Sequence, residues 1–299
     1  MRAVEPVTVT PPANSATAIA LVCDSPHSGT HYPTDFGHSV ERAALRRSED
    51  TDIDALWSGV AAVGGVLVCA TFPRSYIDPN RDEADIDLSM IDGPWPHTVL
   101  PSARCLELGN GLMWRNTPEH LPIYTRRLSI EQAAVRIEHY WRPYRLALAA
   151  QLESAAARHG GYWHLNLHSM PSNAYERLGL PARPLADVVL GNRHNTTCST
   201  GFTDMVANAF KARGYSVAVN DPYEGVELVR LAGDPTRHRH SLQIEINRAL
   251  YMDEGTRERL PRFDALKADI DQVLTSVHAY VEAGAASLPA RYGSLTPAP

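Results

Sequence analysis

The sequence predicts an α/β fold: a single domain with a mostly parallel or mixed central sheet and helices on both faces. Three observations predict it. Short apolar runs of strand length alternate with longer stretches of helical apolar spacing. Those runs are apolar enough to suit strands buried on both faces. The chemically suggestive residues fall just after such runs, where open α/β sheets carry their ligands.

Residues 1–16 (MRAVEPVTVTPPANSA) read as a loose tail, 17–290 as the domain, and 291–299 as a second loose tail. The first strand is expected over Thr17–Cys23, ending at Asp24-Ser25-Pro26. A helix follows over Asp52–Val63, then a strand over Gly65–Thr71. Ser129–His159 reads as the longest helix, opened by an S-x-x-Q capping box from Ser129 and Gln132. Strands are expected over Tyr162–Leu167, running into His168, and over Ala186–Leu190. Thr200–Arg213 reads as helix, Tyr215–Val219 and Ser241–Asn247 as strands, and Arg259–Ala283 as the closing helix.

A chain of 299 residues without a low-complexity linker or internal repeat suits one large domain. Its 44% hydrophobic and 21% charged residues exclude a mainly disordered chain. The net charge of −6 gives no support to nucleic-acid or anionic-membrane partners, yet leaves room for a small anionic ligand in a local pocket. No apolar stretch approaches the ~20 residues a membrane helix needs. The first 16 residues lack a basic start followed by an apolar run. Cys23, Cys69, Cys105 and Cys198 form no tight metal spacing. A cytoplasmic protein with reduced thiols is expected.

Two histidines stand out. His27 in SPHSG and His168 in LNLHSM each lie at the end of an apolar strand. A rigid sheet would fix the direction of such an imidazole, which suits a zinc ligand as well as a hydrogen-bonded loop histidine. His31, His159, His164 and His194 are equally available on composition. A third ligand could come from the acidic run Glu49-Asp50-Thr51-Asp52-Ile53-Asp54, although acids at a helix start also cap free N–H groups. Asn80-Arg81, beside Arg74 and Asp78, would make a carboxylate clamp or an ordinary turn. Glu245, flanked by Ile244 and Ile246, suits a buried general base or a structural partner for Arg248. Asn220-Asp221-Pro222-Tyr223-Glu224-Gly225 is a ligand-contacting loop or a plain turn. G-x-S-x-G, Walker A, G-x-G-x-x-G and H-E-x-x-H patterns are absent, which removes the common signatures of serine hydrolases, nucleotide enzymes and helical zinc proteases.

Taken in order, SPHSGTHYP (25–33), SEDTDIDALW (48–57), FPRSYIDPNR (72–81), LPIYTRRLS (121–129), HYWRPY (139–144), LNLHSMPS (165–172), ADVVLGNRHNTTCS (186–199), VNDPYEGVELVR (219–230) and HSLQIEINRALYMDE (240–254) resemble the N-formylglutamate amidohydrolase family. That family is similar to the zinc carboxypeptidases and the aspartoacylase-type deacylases. The resemblance therefore implies a zinc-exopeptidase-like sheet with one Zn2+ at its strand ends. It implies His27, Asp50 and His168 as metal ligands, with Glu49 the alternative acid. In carboxypeptidases the acid follows the first histidine by three positions, where this chain has Thr30. The resemblance also implies Glu245 as the catalytic acid–base, and Asn80 and Arg81 as the clamp on a substrate carboxylate. Arg74, Arg230 and Asn220 are added as further substrate contacts. The partner implied is a small acidic N-acyl amino acid, N-formylglutamate first among them. A related deacylase with another acidic amide, or a binding protein without catalysis, would use the same pocket.

Overall fold

The computed structural model describes residues 4–288. Its strands are β1 (Val7–Thr10), β2 (Leu21–Ser25), β3 (Val66–Ala70), β4 (Ile91–Asp92), β5 (Leu128–Ser129), β6 (Tyr162–Met170), β7 (Val188–Gly191), β8 (Val217–Val219) and β9 (Arg239–Asn247). Seven of them form one mixed sheet in the order β1-β3-β2-β6-β9-β7-β8, while β4 and β5 pair separately. The neighbours β3, β2, β6 and β9 are all parallel. β1 runs antiparallel to β3 at one edge, β7 antiparallel to β9, and β8 parallel to β7. The expected α/β class with helices on both faces is observed.

Side chains alternate across this sheet. One face is apolar: Leu21, Cys23, Leu165, Leu167, Leu242 and Ile244 pack under helices Thr200–Lys211 and Phe263–Ala286. On the other face, Val22, Val68 and Tyr162 pack under helix Arg142–His159. Further along that face the central strands carry Asp24, His164, Asn166, His168, Ser241, Gln243 and Glu245, all buried. A row of buried polar groups is tolerated only where each finds partners.

Several boundaries differ from expectation for identifiable reasons. Val7–Thr10 is not loose; it is β1, an edge strand of alternating β-branched residues. The 291–299 tail lies outside the described residues. β6 continues through Met170, so His168 sits inside the strand and not after it. The Asp52–Val63 helix is two short pieces, Ile53–Leu56 and a 3-10 turn at Ser58–Ala61. Gly59, in the second piece, packs against Asp271, whose carboxylate a Cβ would meet at 2.2 Å. The Ser129–His159 helix begins with the expected reciprocal capping box but widens to a π turn at Ile137–Trp141. Pro143 lacks the N–H that the His139 carbonyl would use, which favours such a widened turn.

Arg136 fixes the second face to the site loops. It is 1% exposed and donates Nη1 to the Tyr76 carbonyl at 3.0 Å and the Tyr124 hydroxyl at 2.7 Å, and Nη2 to the Phe36 carbonyl at 2.9 Å. Its guanidinium also lies 4.2 Å from the Tyr76 ring centroid. Replacing it would strand two buried carbonyls. Arg136→Met is expected to cost about 2–4 kcal/mol. A lower urea midpoint at unchanged m would register it; a midpoint equal to the parent's would show that water replaces Arg136 without cost.

Candidate metal centre and cleft

His27 leaves β2 in the turn Pro26-His27-Ser28-Gly29. Gly29 presses onto the chain at Thr71-Phe72, where a Cβ would sit 2.4 Å from the Phe72 carbonyl oxygen, so only glycine fits. The His27 carbonyl accepts the Asp50 N–H at 3.0 Å, which ties two sequence-distant segments together. His168 comes from the neighbouring strand β6.

The ligand atoms converge: His27 Nδ1 lies 3.0 Å from His168 Nδ1 and 3.4 Å from Asp50 Oδ2, and His168 Nδ1 lies 3.1 Å from Asp50 Oδ2. The three residues form a buried candidate metal site. Their far sides decide the proton positions. His27 Nε2 donates to Asp78 Oδ1 at 2.7 Å, and His168 Nε2 donates to Asn166 Oδ1 at 2.7 Å. The Asn166 amide is oriented in turn by donating Nδ2 to Asp24 at 2.8 Å. Each neutral imidazole has one N–H, so both Nδ1 atoms present lone pairs to each other and to Asp50. Burial pushes the His168 pKa down, against the pull of Asp50, and so favours that neutral form.

Three facing lone pairs at this separation repel unless a cation lies among them. In a tetrahedral site with bonds of about 2.1 Å, neighbouring ligands are roughly 3.4 Å apart. The donor set therefore fits a divalent ion, and carboxylate or amide partners behind each imidazole are the usual support for such ligands.

The two acids stay ionised. Asp50 is held well below the usual carboxylate range despite burial, and with both Nδ1 atoms unprotonated the cation that faces it is the Arg248 guanidinium. Arg248 Nη2 donates to Asp50 Oδ1 at 2.7 Å. Asp78 is likewise held down against burial, first by Arg74 and then by His27. Arg74 donates both Nε and Nη2 to Asp78 Oδ2, at 3.1 and 2.9 Å. Glu49 faces elsewhere: Tyr32, Arg46 and Thr51 occupy its carboxylate, which leaves Asp50 as the acid beside the histidines.

Glu245 pairs in register with His168 on the adjacent strand, one strand spacing of about 4.8 Å away and on the same face. It accepts from Gln243 Nε2 at 3.0 Å. Burial, reinforced by the Asp50 charge, pushes it up to about 8. Arg248 reaches Asp50 and the Ser169 hydroxyl instead, so its structural pairing is not with Glu245. A cleft of about 340 Å3 opens over His27, His168 and Glu245, with Arg74, Asn80, Arg81 and Arg248 also on its walls.

The sequence profile of N-formylglutamate amidohydrolase matches residues 19–252. The chain belongs to the N-formylglutamate amidohydrolase family. A crystal structure of N-formylglutamate amidohydrolase from Ralstonia eutropha JMP134 is 50% identical, with a TM-score of 0.91 over 94% of this chain and 100% of its own. N-formylglutamate deformylase of Pseudomonas aeruginosa is 25% identical over 88% of this chain and 94% of its own length. The corresponding protein of Pseudomonas putida is 26% identical over 79% and 83%. A more distant gene product of Agrobacterium tumefaciens, 15% identical with a TM-score of 0.65, shares the fold.

Within this family member, not every residue singled out in the sequence reaches the cleft. Arg230 lies on the surface and donates to Glu227 at 2.9 and 2.8 Å. Asn220 follows β8, which runs opposite to β2, β6 and β9, so its strand end points to the other edge of the sheet. Its side chain bonds Asn192, through the Asn192 N–H at 3.0 Å and the Asn192 Oδ1 at 2.8 Å. Asn80 lines the cleft, but its Oδ1 already accepts the Leu228 N–H at 2.9 Å, and its Nδ2 lies 3.2 Å from His168 Nε2. Tyr223, in the same Asn220–Gly225 loop, does line the cleft, and so does Arg104, although nothing in the local sequence of Arg104 marks it.

Zinc added to the purified protein is expected to bind one per chain, and His168→Ala to abolish that binding by metal analysis. Asn166→Ala, which removes only the orienting amide, should weaken affinity by about 10–100-fold. Full zinc occupancy in His168→Ala would remove it from the ligand set.

Proposed function

We propose that the protein is a zinc-dependent amidohydrolase that converts N-formylglutamate and water to formate and glutamate. The observation that carries this is the convergence of His27, Asp50 and His168 beside an unpaired buried carboxylate, Glu245, in a cleft rich in arginine. A divalent ion held by those three residues would act as a Lewis acid and lower the pKa of water it holds.

The chain's own groups supply the rest. Glu245, ionised, accepts a proton from the attacking water and returns it to the departing amine nitrogen. Its raised pKa suits both transfers near neutrality. Arg81, with the Asn80 amide beside it, takes the substrate α-carboxylate and so places the scissile amide. Arg74 is locked by Asp78 through Nε and Nη2 and offers its remaining nitrogen to developing negative charge. The buried free thiols of Cys23, Cys69, Cys105 and Cys198 are consistent with a cytoplasmic location, and among the described residues no helix is long and apolar enough to cross a membrane.

Glu245→Gln should retain bound zinc while kcat falls by about 10²–10⁴-fold; near-parental turnover would end its assignment as the base. The parent's kcat/KM should be lost as pH falls through the Glu245 pKa. Burial raises that pKa toward about 8, and a bound cation draws it back toward the ordinary ~4.3. An acid limb between those limits is therefore expected, and full activity below pH ~4 would contradict it. Formyl, acetyl and succinyl derivatives of glutamate, assayed together, test the acyl group; preference for acetyl or succinyl would replace the formyl reading.

A further inference from the structure

Among the described residues, two cleft arginines are short of counter-charge. Among the described residues, Arg104 makes no side-chain hydrogen bond and no ion pair, and its Nε is buried without a partner. Arg81 is only weakly matched: its Nε is buried without a partner, and its ion pair, from Nη1 to Asp85, is long at 3.9 Å. Nε forms one corner of the guanidinium edge that grips a carboxylate side-on, so on both residues that edge is open.

The nearest acid cannot serve them. Asp85 is committed to the start of helix Ala103–Leu108, accepting the Ser102 N–H at 2.6 Å and the Ser102 hydroxyl at 3.1 Å. That bond fixes the helix carrying Arg104 to the loop carrying Arg81. Burial, followed by the charges of Arg81 and Arg74, pushes Arg104 down to about 10, so it is crowded by like charge yet still cationic at neutral pH. Arg74 and Arg248, in contrast, are matched to Asp78 and Asp50. Two guanidiniums so placed, Arg81 buried with one long ion pair and Arg104 half-buried with none, are short of negative charge, a cost that a ligand bringing two negative charges relieves.

We propose that Arg104 is the specificity residue of the cleft: it receives the second, side-chain carboxylate of a dianionic amino-acid derivative while Arg81 holds the α-carboxylate. This rests on the proposed amidohydrolase reading for the identity of the substrate, but the charge match stands on Arg81 and Arg104 alone. A neutral side chain of the same shape leaves Arg104 unmatched and is rejected.

The test compares N-formylglutamate, N-formylglutamine and the α-carboxamide N-formylisoglutamine with the zinc-loaded parent, Arg104→Met and Arg104→Lys. Binding of L-glutamate and L-glutamine is measured calorimetrically in parallel. The parent should prefer N-formylglutamate over N-formylglutamine by at least about tenfold in kcat/KM. Arg104→Met should collapse that ratio toward one, Arg104→Lys should restore part of it, and the glutamate-over-glutamine binding preference should move with it. Discrimination against N-formylisoglutamine should remain in both variants. An unchanged glutamate-to-glutamine ratio in Arg104→Met overturns the proposal, as does loss of discrimination against the α-carboxamide instead. Should Arg104→Met fail to fold, the parent and Arg104→Lys decide: a parent without the tenfold preference refutes the assignment. Absence of turnover on every formyl substrate, with Arg104-dependent glutamate binding intact, would overturn the amidohydrolase reading and leave this one standing.

Discussion

One buried carboxylate, Asp24, sets the chemistry of the sheet's polar face. It is fully enclosed, yet burial is outweighed by hydrogen bonds, first from His164, and it stays ionised. Oδ1 accepts from His164 Nε2 and Asn166 Nδ2, both at 2.8 Å, and Oδ2 accepts from the Tyr144 hydroxyl at 2.6 Å. Because Asn166 must turn its amide toward Asp24, its oxygen must face His168. That oxygen takes the Nε2 hydrogen of His168 and leaves the Nδ1 lone pair pointing at His27 and Asp50. The tautomer of a candidate ligand is thus decided by a charge on the next strand, two hydrogen bonds away.

The parallel register of β2, β6 and β9 makes this possible. Asp24 stands opposite Asn166, Asn166 opposite Gln243, and His168 opposite Glu245. Each residue of the polar row therefore has a polar neighbour across the strand gap. A slip of one residue would turn the whole row onto the apolar face under helix Phe263–Ala286. The cost of burying seven polar side chains makes that register, and with it the relative placing of His168 and Glu245, strongly specified.

Much of this was legible in the sequence where local chemistry spoke for itself. Ser241–Asn247 carries Gln243, Glu245 and Asn247 at every second position, so its strand character and the face of Glu245 follow from alternation, whereas Tyr162–Leu167 was legible as a strand only up to His168. The capping box at Ser129 needed only four residues to be visible. What stayed hidden depends on partners far away in the chain. Asp50 and Glu49 are adjacent and chemically alike; Tyr32, Arg46 and Arg248 separate their roles, and none of these contacts is encoded in the acidic run itself. The direction of β8 is a property of topology, so Asn220 resembled a strand-end ligand although its strand points the other way. Arg104 sits in an unremarkable six-residue helix, and its significance comes from having no partner, which a sequence does not display.

The distribution of unmatched charge then gives the cleft a direction. Asp50 and Asp78 are neutralised in place by Arg248 and Arg74, close to the histidines. The acid left without a cation is Glu245, and isolation in a buried strand raises its pKa. Among the described residues the cation left without an acid is Arg104, and Arg81, tied to it through Asp85 and Ser102, has only the long 3.9 Å pair with Asp85. A ligand with carboxylates at one end and a neutral amide at the other is accommodated in only one orientation. Its anions would meet guanidiniums, and its amide would lie toward Glu245 and the paired histidines. The opposite orientation would set carboxylates beside Glu245 and leave Arg104 unmatched. Since close opposite and like charges differ by several kcal/mol in a site of low effective dielectric, this polarity alone can orient a substrate before any shape complementarity acts.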